Sequence, residues 1–201
     1  MKRFRLLAFL AGLVVLGGCG LNQQNLDLLQ GQTFEVMERW PIDVPKIVER
    51  TDLHLDGRLP DDTGLRLGGA PPSTLITPSS IRVVGEGHVG LAAGCIERLE
   101  GTVELRLYLG PEGAVWEHPL GDPFAIDLAQ ATTGFAIDTT LDPEQKKAVL
   151  AGAAFVGATV TGDVHVTFDR DDRCVGPDGY IHAEILMKLV LRSLEIVVQI
   201  F

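Results

Sequence analysis

Two histidines and two carboxylates near the C-terminus are the residues of this chain best placed to do chemistry. His165 and Asp163 lie on the polar side of one alternating run, and His182 and Glu184 on the polar side of the next. If the runs pair as a hairpin whose residue numbers sum to 347, His165 faces His182 and Asp163 faces Glu184. Two imidazoles and two carboxylates then converge, a set suited to zinc or another transition metal and so to a metal-dependent enzyme. If the numbers sum to 349, His165 meets Glu184 and the set dissolves into ordinary pairing on a solvated sheet face. The second outcome is the expected one, and it assigns no metal ligand.

Other chemical signals are weaker. Ser79-Ser80 follows Thr77-Pro78 and reads as a turn, and no Gly-x-Ser-x-Gly elbow is present. The segment Gly85-Glu86-Gly87-His88-Val89-Gly90 has the spacing of a phosphate loop. It lacks a following helix to offer its N-terminus, so it reads as a bent strand whose glycines relieve crowding. Asp169 to Cys174, followed by Asp178-Gly179, concentrates carboxylates but lacks the oxygen spacing of a calcium loop and contains two arginines. His54 and His118 have no partners nearby in sequence. No catalytic residue and no cofactor is expected.

Where these groups operate is set by the first 19 residues. Lys2, Arg3 and Arg5 precede the apolar run Leu6 to Leu16, and Leu16-Gly17-Gly18-Cys19 closes it. This is the layout of a secretory signal, and the run is shorter than the roughly 20 apolar residues a spanning helix needs. The segment resembles the bacterial lipoprotein signal, whose lipobox is an aliphatic residue, two small residues and a cysteine. The resemblance implies that Cys19 receives a diacylglycerol, that residues 1–18 are removed, and that the new amino terminus is acylated with a chain such as palmitate. Each buried methylene contributes about 0.8 kcal/mol, so two or three chains hold a protein on a membrane almost irreversibly. Cys19 is then a tether, not a nucleophile. Gly20 rather than Asp after the lipidated cysteine implies the outer membrane, facing the periplasm, in an envelope of Gram-negative type.

Export changes how Cys95 and Cys174 read. They are the two cysteines left once Cys19 is modified, an even number in a compartment where disulfides persist, and a bond between them is expected. It closes a loop of about 80 residues, for about 4.5 kcal/mol on the chain-entropy estimate. Removal of the signal also takes three basic residues, leaving 14 Lys and Arg against 27 Asp and Glu, a charge of −13. An acidic body without a basic run repels phosphate backbones, which excludes nucleic acid as a partner.

The 183 residues left suit one domain. Residues 19–33, rich in Asn and Gln, read as a tether that docks a leucine or two, and 34–201 as a single β-rich domain. Period-two alternation recurs at Leu53, Leu55 and Leu59, through Val103 to Leu109, and at Phe124, Ile126 and Leu128. Gly/Pro turn clusters separate these runs, so an antiparallel sandwich or open barrel is expected. One short helix, about 143–151, is capped by Asp142, with Pro143 at its first position and Gly152 beyond its end.

The last two runs, Val156 to Phe168 and Ile181 to Leu191, read as a long hairpin forming the spine of the sheet. A phase flip near Ser193 signals a β-bulge. The alternative is an α+β fold with a C-terminal helix over 184–200. Three functions fit: a non-enzymatic envelope module binding a protein or polymer, a carrier of lipid or another apolar ligand, and the metal enzyme above. An interior cavity favours the carrier; a filled interior favours the interaction module.

Overall fold

Alternating apolar and polar residues become ten strands in the computed structural model, which describes residues 22–60, 64–67, 76–91, 95–130, 132–169 and 174–200. In chain order these are β1 (Asn22–Asp27), β2 (Phe34–Pro45), β3 (Arg50–Leu59), β4 (Leu65–Arg66) and β5 (Ile76–Leu91). They continue as β6 (Ile96–Pro111), β7 (Phe124–Asp127), β8 (Thr132–Thr140), β9 (Ala154–Phe168) and β10 (Tyr180–Ile200), with helix α1 (Pro143–Leu150) between β8 and β9. The signal residues and Cys19 lie outside the described residues.

Two antiparallel five-stranded sheets share one plan. In the first the order is β2-β10-β5-β8, with β1 pairing the far half of β10 beside β2; in the second it is β3-β9-β6-β7, with β4 pairing the far end of β9. Among the eight principal strands every connection but β6–β7 passes from one sheet to the other, which is jelly-roll connectivity. The expected all-β sandwich is observed.

Between the sheets the stripes from Val103 to Leu109, Val156 to Phe168 and Ile181 to Leu191 form one apolar layer, with Leu105, Val160 and Ile185 fully buried. Each such side chain contributes roughly 1.5–3 kcal/mol relative to exposure. Gly85 and Gly87 lie within β5 facing this layer. A Cβ at either would come within 2.5 Å of Phe135 or Ile126 respectively, so these glycines relieve crowding in a continuous strand.

The C-terminal hairpin does not form. β9 and β10 are the central strands of opposite sheets, and their apolar stripes face each other across the core instead of lying side by side. Period two assigns a face to each residue but does not say which strand is the neighbour, and β9 and β10 each pair within their own sheet. The alternative helix over 184–200 is also overturned, because all of Tyr180–Ile200 is strand.

The phase flip is a bulge. Leu191 pairs with Gly85 and Ser193 with Val84, leaving Arg192 as the extra residue and moving the buried set from odd to even numbers. Ser79 is not in a turn: Ser80 pairs with Val197 and Pro78 with Val198, so Ser79 is a second bulge residue, its hydroxyl donating to the Val197 carbonyl at 3.0 Å.

Part of the stretch read as a tether is built into the first sheet. Residues 22–27 pair with 195–200 of β10, and Leu28 and Leu29 are buried behind them. Cys95 and Cys174 are bonded, their Cα atoms 5.3 Å apart, tying the start of β6 to the connection leading into β10. Helix α1 carries the expected cap: the Asp142 carboxylate accepts from the Gln145 amide, the Gln145 side chain accepts from the Asp142 amide, and Gly152 has a positive φ of 64°.

Candidate functional site

The outer face of the second sheet gathers polar side chains because β3, β9 and β6 each turn alternate residues away from the core. β9 contributes Thr159, Thr161, Asp163 and His165; register sets Asp52, His54 and Asp56 of β3 on one side, and Glu100, Thr102 and Glu104 of β6 on the other. Asp52 stands opposite His165 and His54 opposite Asp163, a checkerboard of two imidazoles and two carboxylates. His165 Nδ1 donates to Asp52 at 2.6 Å, and His54 Nδ1 donates to Asp163 at 2.8 Å. Neither imidazole Nε2 has a hydrogen-bond partner among the described residues. Both pairs are largely solvated, so they contribute little to stability.

Beside the checkerboard an open groove of about 480 Å³ runs over β9, β6 and the approach to β7, lined by Thr102, Glu104, Thr161, Asp163, Pro123 and Ala125. Glu104 and Thr161, opposite each other across β6 and β9, make no side-chain hydrogen bond or ion pair among the described residues. Their oxygens are available to an external partner.

Farther along β9 the face becomes aromatic. Trp116, in a single 3-10 turn, lies on Gly157, where a Cβ would come within 2.5 Å of the indole. Tyr108 meets Trp116 edge-on with ring centroids 5.6 Å apart, and the Arg58 guanidinium lies 5.0 Å from the indole centroid.

The outer face of the first sheet is chemically closed in its central part. Arg192, displaced outward by the bulge, grips both oxygens of Glu86 at 2.9 Å, which holds the Glu86 carboxyl below its usual range. Lys188 pairs with Glu35 at 2.6 Å and Arg39 with Glu184 at 3.1 Å. At the end of that face where β10 begins, His182 sits between Asp43 at 2.6 Å and Asp178 at 3.1 Å. An imidazole donates from both nitrogens only when protonated. The Asp43 hydrogen bond, followed by the charge of Asp178, accordingly raises the His182 pKa above the ordinary value.

His165 and His182 therefore never meet. They belong to opposite sheets and point outward from each, so neither proposed hairpin register exists and the metal set does not assemble. Among the described residues no three His, Cys, Asp or Glu side chains are grouped to hold a metal ion. Part of the acidic loop, residues 170–173, lies outside the described residues, while Asp178 serves His182.

His54 and His118 do have partners, distant in sequence. His118 Nδ1 donates at 2.8 Å to Asp142, the helix cap. Burial alone pushes the Asp142 carboxyl up, but the Gln145 amide and His118 outweigh it and the net shift is downward. With the His88–Glu86 pair at 3.3 Å, each of the five histidines stands against a carboxylate. Sequence spacing shows only Glu86 two positions from His88 and Asp178 four positions from His182; the pairs with Asp163, Asp142, Asp52 and Asp43 join different strands or elements.

An apolar gap between the sheets, lined by residues such as Val36, Leu59, Val156 and Leu189, measures about 10 Å³. That is about the room one water needs. An acyl chain does not fit there.

No protein-family model and no curated protein matches the sequence. Solved structures resemble it loosely. One is a carbohydrate-binding module specific for non-crystalline cellulose, CBM28, at 11% identity and TM-score 0.29, covering 77% of this chain and 73% of that one. A bacterial lipoprotein from Bacteroides thetaiotaomicron matches at 8% identity and TM-score 0.33, over 90% and 97%. The decameric BFDV capsid protein matches at 9% identity and TM-score 0.26, over 82% and 98%.

Proposed function

We propose that this chain is a lipid-anchored, non-enzymatic binding module of the bacterial cell envelope, which engages a hydroxyl-rich envelope polymer on the outer face of its second sheet. The groove beside the checkerboard carries this reading. Carboxylate and hydroxyl oxygens of Glu104, Thr161, Thr102 and Asp163 line about 480 Å³ of open space, with Glu104 and Thr161 unengaged among the described residues. Such acceptors, with the open Nε2 atoms of His54 and His165 alongside, suit the hydroxyls of a neutral glycan chain. A strongly anionic polymer would be repelled by the acidic body. Among the described residues, the apolar gap beside Val36, Leu59 and Leu189 is the size of one water, which supports binding at a surface over carriage of an apolar ligand at that place. The anchor is read from Leu16-Gly17-Gly18-Cys19.

The test is co-sedimentation of the purified protein with insoluble glycan isolated from a bacterial envelope, wild type against Thr161→Arg. Thr161 is exposed, so the variant fills the groove without disturbing the core. Retention of the wild type with at least a tenfold loss in the variant supports the reading; equal retention, or none for either protein, overturns it.

A further inference from the structure

The first strand decides how an anchored copy of this protein meets its membrane. Asn22 pairs with Ile200, so the chain leaves Cys19 and joins the sandwich at the end where β10 finishes. From Cys19 to Asn22 is three residues, which reach about 10 Å at most when fully extended. β1 then runs along β10 through six paired residues, and Leu28 and Leu29 bury themselves immediately after it. No slack remains for the domain to hang away from the bilayer.

β10 is 21 residues long, about 65 Å at strand rise. Its other end carries Tyr180 and, on the adjacent β2–β3 connection, Ile47, which are 42% and 87% exposed. A single short attachment also permits the domain to lie on its side. Charge opposes that stance: carboxylates outnumber cations on both outer faces, and laying either against anionic headgroups sets like charges together.

We infer that the lipidated protein stands end-on, with the Asn22–Ile200 end of the first sheet against the lipid headgroups and the Ile47–Tyr180 end held farthest from the bilayer. This rests on the lipid anchor read at Cys19. Its consequence is that closeness to lipid follows the fold rather than the sequence. Thr77, paired with Gln199, and Thr140, paired with Ser80, lie near the bilayer although far from Cys19 in sequence; Ile47 is nearer in sequence and lies remote.

A photo-crosslinking residue placed at Thr77, Thr140 or Ile47 in the full chain, made in bacteria and irradiated in membranes, tests this. All three positions are exposed. Phospholipid adducts are expected at Thr77 and Thr140 with at least ten times the yield at Ile47. Comparable yields at Ile47 overturn the end-on stance. The intact mass of the purified protein separates the two ideas: absence of a diacylglyceryl increment removes the anchor and the stance together. An increment that disappears in Cys19→Ala, with equal adduct yields in the parent chain, removes the stance alone.

Discussion

The two sheets are built to the same plan and differ in what they do with their outer faces. Each has a long central strand, β10 or β9, flanked on one side by two strands in line and on the other by two side by side. On the first sheet Arg192, Lys188 and Arg39 each hold a carboxylate, so the central face is occupied by its own charges. On the second sheet the corresponding region pairs histidines with aspartates and, among the described residues, leaves Glu104 and Thr161 unengaged beside a groove. Shared topology thus sets where a face lies, and the side chains alternating outward decide whether it is a solvated wall or a surface with hydrogen bonds to give.

The largest effect expected bears on how the two sheets are held together. Replacing Cys95 and Cys174 by alanine should lower stability by about 2–5 kcal/mol in urea titration, because the bond ties the start of β6 to the connection leading into β10 and closes a long loop. A loss within error would mean that the core alone holds the sheets in register.

Next come two glycines on opposite outer faces. Gly157→Val drives a side chain into Trp116 and should cost about 1–3 kcal/mol. Gly134→Val on the first sheet meets nothing within 4 Å and should stay within about 0.5 kcal/mol of wild type. Equal costs would contradict the packing of the 3-10 turn on β9.

A smaller difference separates two arginines. Arg192→Ala removes the bidentate grip on Glu86 and should lower the melting temperature, whereas Arg106→Ala on the second sheet should leave it unchanged. If both variants melt like wild type, the ion pairs of the first sheet are ornament and the contrast between the faces is chemical only.

The smallest effect concerns pH. Because the folded His182 pKa lies above the unfolded value, its contribution is full below about pH 6.5 and is lost as pH rises through the folded value. His182→Gln should therefore differ from wild type more at about pH 5.5 than at about pH 8.5. A proton NMR titration should place His182 above the ordinary histidine value, and Asp43→Asn should bring it down. An unshifted His182 would remove the special character of that end of the first sheet.

Much of the architecture was legible residue by residue. The stripe Val103, Leu105, Leu107 and Leu109 is buried as alternation requires, and the change of phase at Ser193 marks the Arg192 bulge. Asp142, Pro143, Gln145 and Gly152 delimit the helix to within a residue. The site was not legible. Sequence spacing sets His165 against His182, seventeen positions on, whereas its partner is Asp52, 113 positions away. Asn and Gln around Leu26 to Leu29 read as linker, yet β10 supplies an edge to which that backbone pairs.

What the sequence by itself determined is local: which residues alternate, where the chain turns, where the helix is capped, and which side of each strand is apolar. Those properties depend on neighbours within a few positions, through backbone sterics and the period of side-chain direction. Only the tertiary structure decided which strands lie together, and with them the histidine–aspartate checkerboard, the groove beside it and the end at which Asn22 joins the sandwich. Strand pairing is a long-range choice among edges with identical backbone donors and acceptors, resolved by how the whole set of apolar faces can be buried at once.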